Sequence, residues 1–170
     1  MTVSQKALSA MNIGFEHLGG FHMSWSTFDI IIELSITKLI NIDFEKANLL
    51  LHGMSFSRKF SILKSILYLK DPKHEVITLL NEFQSLAKRN TIVHGMLGWH
   101  DESLQFTMRE SSNRFKVKKV TLKNDEMRAL VAKMVELASD LQSKMSIDNE
   151  DFDNYAIAAD KLATKSAKLP

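Results

Sequence analysis

The chain has 170 residues, 45% of them apolar and 25% charged, with a formal net charge of +2. Such a composition is ordinary for one soluble globular domain, which at this length buries roughly 70% of the unfolded chain's surface and needs no staple. The sequence has no cysteine, which excludes disulfides, thiolate catalysis and thiolate metal sites and suits a reducing compartment, so a cytoplasmic location is expected.

The N-terminal MTVSQKALSAMNIGF lacks the basic-then-apolar pattern of a secretory signal. A short helix is expected over about residues 4–18, stopped by Gly19-Gly20, with His17 and His22 on the surface at either side. A second helix runs from about Trp25 to Ile40. The apolar run from Phe28 to Ile42 carries Asp29, Glu33 and Lys38 and is too short to cross a bilayer, so no membrane is expected as a partner. Glu33 is read as facing solvent, with a buried pairing to Arg89 as the alternative. A third, short helix follows near Phe44–Leu51. A fourth covers Phe56–Leu69, where Phe60, Leu63, Ile66 and Leu67 recur at helical spacing.

Asp71-Pro72 reads as the start of the next helix, an N-cap acid followed by proline at the first helical position. Val76, Leu80, Phe83 and Ala87 form its apolar stripe, and the same rhythm continues through Asn90 and His94 before Gly95 stops it. The stripe therefore turns polar in its last two turns. Buried polar groups cost a few kcal/mol unless paired, so this end of the helix either holds a partner network or lines a cleft.

After Gly98 the period changes to two. Leu104, Phe106 and Met108 alternate with polar residues; Glu110–Asn113 is a turn; Phe115 and Val117 alternate with Lys116 and Lys118. This is one antiparallel hairpin, with a slip at Lys119 read as a bulge. The last long helix spans about Asp125–Met145. Beyond it come four acids between Asp148 and Asp153, then a helical segment over Tyr155–Lys168 that could instead fray or swap onto a neighbour. The expectation is a mainly α helical bundle with one antiparallel hairpin before its last long helix. Residues 1–146 form a single domain and 147–170 an acidic, then helical, C-terminal tail.

Between Arg109 and Lys123 lie six basic residues and one acid. A local basic patch attracts phosphate, although a plain solvated face reads the same way. The richest constellation is Leu86-Ala-Lys-Arg89-Asn90-Thr-Ile-Val-His94-Gly95. Arg carries a planar fork suited to phosphate, and His gives or takes a proton near neutral pH. Asn90 and His94 are four apart and share one helix face. Arg89 lies about 140° of helix rotation from His94, so it must reach round an edge or act with a second subunit. Polar residues near a helix end also serve simply as caps and surface pairs, and the cations Lys88 and Arg89 favour the end of a helix dipole.

This segment, R-x4-H with Asn after the Arg and Gly after the His, resembles the HEPN family over roughly residues 20–145. The resemblance implies a helical bundle with the motif in a long helix, a homodimer in which two Arg–His pairs form one cleft, and a metal-independent ribonuclease. In that chemistry the RNA 2′-hydroxyl attacks the adjacent phosphate and leaves a 2′,3′-cyclic phosphate. Arg89 and His94 are the implied catalytic residues, with Asn90 in support and no metal or cofactor. RNA is the implied partner, touched by Lys88, Trp99, His100, Arg114, Lys116 and Lys118. Family members with no activity leave a non-catalytic adaptor or nucleotide- or partner-binding module as the alternative. A toxin or defence role implies a cognate antitoxin or regulatory protein. The chain could also be the antitoxin or immunity partner itself, its acidic tail Asp148–Asp153 mimicking nucleic acid. Trp99 suits a core plug as well as a base-stacking surface, and a metal site from His94, His100 and Asp101 has no recognised ligand spacing.

Overall fold

The computed structural model describes residues 5–86, 92, 95–100, 103–110 and 116–167. Among them are six helices and one small sheet, a mainly α fold as the sequence periods predict. In chain order these are α1 (Gln5–Ile40), α2 (Phe44–Leu51), α3 (Phe56–Lys70), α4 (Glu75–Leu86), β1 (Met96–His100), β2 (Ser103–Glu110), β3 (Lys116–Lys123), α5 (Asn124–Lys144) and α6 (Asn149–Ser166). The chain divides into two compact units, Met1–Trp25 with Glu82–Glu136, and Ser26–Asn81 with Leu137–Pro170.

In the first unit the sheet has the order β1-β2-β3, antiparallel throughout. The strand β1 is an addition to the expected hairpin. The β2–β3 register runs unbroken from Ser103↔Lys123 to Glu110↔Lys116, so Lys119 is not a bulge. The apparent slip in the sequence has another cause: the inward positions of β3 are Val120 and Leu122, opposite Phe106 and Leu104, whereas Val117 lies on the other face and is 51% exposed. Leu104, Phe106, Val120, Leu122, Met127 and Met134 are buried in this unit. Phe21, Trp25 and Phe83 form an aromatic run there, with ring centroids 6.4 Å apart for Phe21–Trp25 and 5.1 Å for Trp25–Phe83.

The helix α1 runs through Gly19-Gly20 rather than stopping before it. A Cβ at Gly20 would lie 3.3 Å from the Val131 side chain of α5, whereas Gly19 faces open space. Glycine at position 20 thus serves a close helix–helix approach, and flanking helical turns absorb its propensity cost of about 1 kcal/mol.

The second unit is all helical. Phe28, Ile31, Ile32 and Leu34 of α1 are buried, as are Leu63 and Leu67 of α3 and Val76 and Leu80 of α4. The Asp71-Pro72 start signal belongs to a turn instead. The Asp71 backbone N–H donates to Leu67 O and ends α3, and its carboxylate accepts from Lys73 N at 2.9 Å. The helix α4 then begins at Glu75, with His74 Nδ1 accepting from Val76 N. Two helices end in the same way: Asn41 after α1 (φ 53°) and Ser146 after α5 (φ 52°) adopt left-handed backbone, and Ile42 N–H and Ile147 N–H reach back to Thr37 O and Gln142 O.

Glu33 does not face solvent. The Lys59 ammonium, on a residue only 4% exposed, lies 2.6 Å from Glu33 and 2.7 Å from Asp29. The Tyr155 hydroxyl donates to the other Glu33 oxygen. Burial, then the Glu33 carboxylate, push the Tyr155 phenol well above its usual range, so it stays a donor.

The helix α6 starts at Asn149, six residues earlier than expected, because Asp148 and Asp151 form a reciprocal capping box. The acidic run is therefore a helix start, which suits the positive end of the helix dipole. The helix seats on α2 through buried Tyr155 and Ala158, and Asn48 Nδ2 donates to Tyr155 O. Lys38 holds this corner: its ammonium donates to Ser146 O and pairs with Asp151 at 2.6 Å.

Lys59→Met leaves two carboxylates facing each other without their cation, and should cost about 3–5 kcal/mol in urea denaturation. An unchanged midpoint would mean the cluster is not structurally required. Burial raises the Asp151 carboxyl, but the Lys38 ammonium and the Asp148 backbone N–H outweigh it and hold it below its usual value. A depressed carboxyl stabilises the fold above its unfolded pKa, about 4, and loses that contribution as pH falls below it. Asp151→Asn should therefore flatten the loss of stability between pH 5 and pH 3, read by urea melts across that range. A slope equal to wild type would remove this role.

Candidate functional site

The helix α4 leads toward the Arg–His segment. Its stripe Val76, Leu80 and Phe83 is buried as expected, and Ile92, inside the motif, is 3% exposed. Arg89, Asn90 and His94 lie outside the described residues, as do Lys88, Arg114 and Asp101. Gly95 leads directly into β1, an edge strand of the first unit's sheet.

Trp99 and His100 fall on that strand. Trp99 pairs with Leu104, on the sheet face that carries the core residues, and is only half-exposed. Its indole approaches α1 so closely that a Cβ on Gly14 would lie 2.7 Å from the ring. Trp99 thus packs as a plug between β1 and α1 of this unit. His100 is exposed at the end of β1, opposite Ser103. Lys118 is exposed, and its register position opposite Met108 puts it on the same face as Val120 and Leu122; Lys116 holds the matching position opposite Glu110.

Two lysines fall on the other face. Lys119 and Lys123 lie opposite Thr107 and Ser103 and are exposed. Both belong to the basic run, but the register that separates them from Lys116 and Lys118 is not visible in one strand. At the β3–α5 junction Glu126 accepts a hydrogen bond from the Lys123 backbone N–H at 2.8 Å. Asn124 Nδ2 donates to Ala10 O at 2.9 Å and ties α5 to α1 beside Gly14.

Among the described residues no group of three or more histidines, aspartates or glutamates could hold a metal ion. No described helix is long and apolar enough to cross a membrane. The second unit has a recess of about 720 Å³ between α2 and α6, lined by Leu49, His52, Ala159, Asp160 and Leu162. Lys165 at its edge pairs with Glu45 at 2.8 Å.

No family model, no curated protein and no solved structure matches this chain.

The packing of Trp99 makes a direct prediction. Gly14→Ala should displace the indole and cost about 1–3 kcal/mol, read by thermal unfolding with tryptophan fluorescence. Unaltered stability and emission would mean Trp99 is free to move, and would restore it as a stacking surface.

Proposed function

We propose that this protein is a HEPN-like, metal-independent endoribonuclease acting as a cytoplasmic homodimer in a toxin or defence role, with a cognate antitoxin or regulatory protein as partner. The observation that carries the reading is the RN-x3-HG pattern, Arg89-Asn90 to His94-Gly95, directly after an amphipathic helix in a mainly α chain. Exposed lysines on the sheet that follows add support, since they offer charge to a phosphate backbone.

In this mechanism His94 takes the proton of the RNA 2′-hydroxyl as its oxygen attacks the adjacent phosphorus. The bond from phosphorus to the 5′-oxygen breaks, the leaving oxygen gains a proton, and a 2′,3′-cyclic phosphate remains. Arg89 stabilises the charge that builds on the non-bridging oxygens. Asn90, four positions before His94 in the sequence, orients the imidazole or touches the same phosphate. DNA is inert to this route because it has no 2′-hydroxyl.

The test is cleavage of a labelled mixed-sequence RNA with EDTA present. Wild type should leave cyclic-phosphate ends, and His94→Ala should be slower by about 10²–10⁴-fold with its fold intact by circular dichroism. Equal cleavage by the variant would refute the assignment. No cleavage by pure wild type would assign the chain to the non-catalytic, partner-binding class.

A further inference from the structure

The three strands put nine residues on the outer face of the sheet in three rungs. Lys119, Thr107 and Met96 make the first, Thr121, Gln105 and Gly98 the second, and Lys123, Ser103 and His100 the third. None of the nine is acidic, in a chain with 20 acidic residues. Lys119, Thr121 and Lys123 are exposed along one edge strand, and Met96 is 76% exposed on the other. Gln105 and Thr107 lie half-buried between them, and Ser103 is buried at the end of the central strand.

We infer that this outer sheet face is a binding platform for a single RNA strand, with the sugar–phosphate backbone along β3 and the bases turned across β2 toward β1. The inference rests on the ribonuclease reading for its choice of RNA, and reassigns the contact from Lys116 and Lys118 to Lys119 and Lys123. Charge complementarity carries it. Two ammonium groups four residues apart on one strand stand about 13 Å from each other, with no carboxylate on the face between them. Phosphate contacts of this kind supply sequence-independent affinity.

The centre of the platform fits bases. The middle rung offers a hydroxyl and an amide, which hydrogen-bond base edges and the 2′-hydroxyl. Gly98 leaves the floor open, since a Cβ there would meet nothing closer than 3.8 Å. Met96, a flexible apolar side chain at the far edge, gives an unstacked base a surface to lie on. A membrane surface would instead call for several apolar side chains to insert, and the described residues of this face present Met96 and, beyond the rungs, Val117.

The experiment measures binding, not turnover. Fluorescence anisotropy of a labelled uridine oligonucleotide is followed over a salt series in the His94→Ala background, so cleavage cannot intervene. K119E/K123E should weaken binding about tenfold or more and lower the slope of log K against log salt by about 1.4, the value for two lost phosphate contacts on a single strand. K119Q/K123Q guards against disruption of the fold by the glutamates and should lower the slope equally. K116E/K118E, on the opposite face, should change binding less.

Undiminished binding by both outer-face variants, or a larger loss from K116E/K118E, overturns the inference. So does tight binding of wild type to phosphatidylserine vesicles or polyglutamate with none to RNA. RNA binding through Lys119 and Lys123 without cleavage by wild type sustains the platform and refutes the ribonuclease reading alone. Cleavage that survives in a protein whose outer-face variants bind RNA normally does the reverse.

Discussion

The Lys59 ammonium enters the second unit's interior on α3, and it must be neutralised there. Its partners come from α1, where Asp29 and Glu33 stand one turn apart, and the Tyr155 hydroxyl of α6 completes the set on the far Glu33 oxygen. Three helices thus converge on four polar groups. Buried ion pairs add little net stability because desolvation offsets most of the attraction, but they are intolerant of mispairing. Apolar contacts alone would let these helices slide or rotate by a residue at small cost. The charge cluster admits one register, and Lys38 repeats the arrangement at the corner where α1, α5 and α6 meet.

This same cluster marks where sequence reasoning reaches its limit. Glu33 sits in an apolar run, and its cation is 26 residues along the chain and its phenol 122 residues along. No local pattern joins them. The periodic elements were legible: the Val76–Leu80–Phe83 stripe and the Leu104–Phe106 alternation both fall where the spacing puts them. Punctuation misled in two places. Gly19-Gly20 reads as a stop, yet Gly20 is small to admit Val131 of α5, a tertiary reason invisible in the local sequence. Asp71-Pro72 reads as a helix start, yet Asp71 is occupied closing α3 and shaping the turn that follows. The strand β1 was missed because five residues with a central glycine give too little alternation to detect.

The candidate site divides along similar lines. Arg89, Asn90 and His94 stand out by their spacing in the sequence, which is local information. The basic run that follows was found as composition, and composition does not say which lysines share a surface. Strand pairing does: it sends Lys118 to the face of Val120 and Leu122, and Lys119 and Lys123 to the opposite one. The seating of Trp99 against Gly14 is likewise a long-range contact, 85 positions apart in the numbering, which no local pattern shows.

A three-stranded sheet has two outer edges, each a row of backbone groups able to recruit a strand from another molecule. The two edges here are guarded differently. The strand β1 is five residues long and contains no Asp, Glu, Lys or Arg, so its protection is brevity. The strand β3 is eight residues long and carries Lys118, Lys119 and Lys123 exposed along it, so like-charge repulsion discourages a second copy from pairing there. Any polyanion that neutralises those lysines also removes the repulsion. The charge state of one strand therefore bears on whether two copies of this sheet can pair edge to edge.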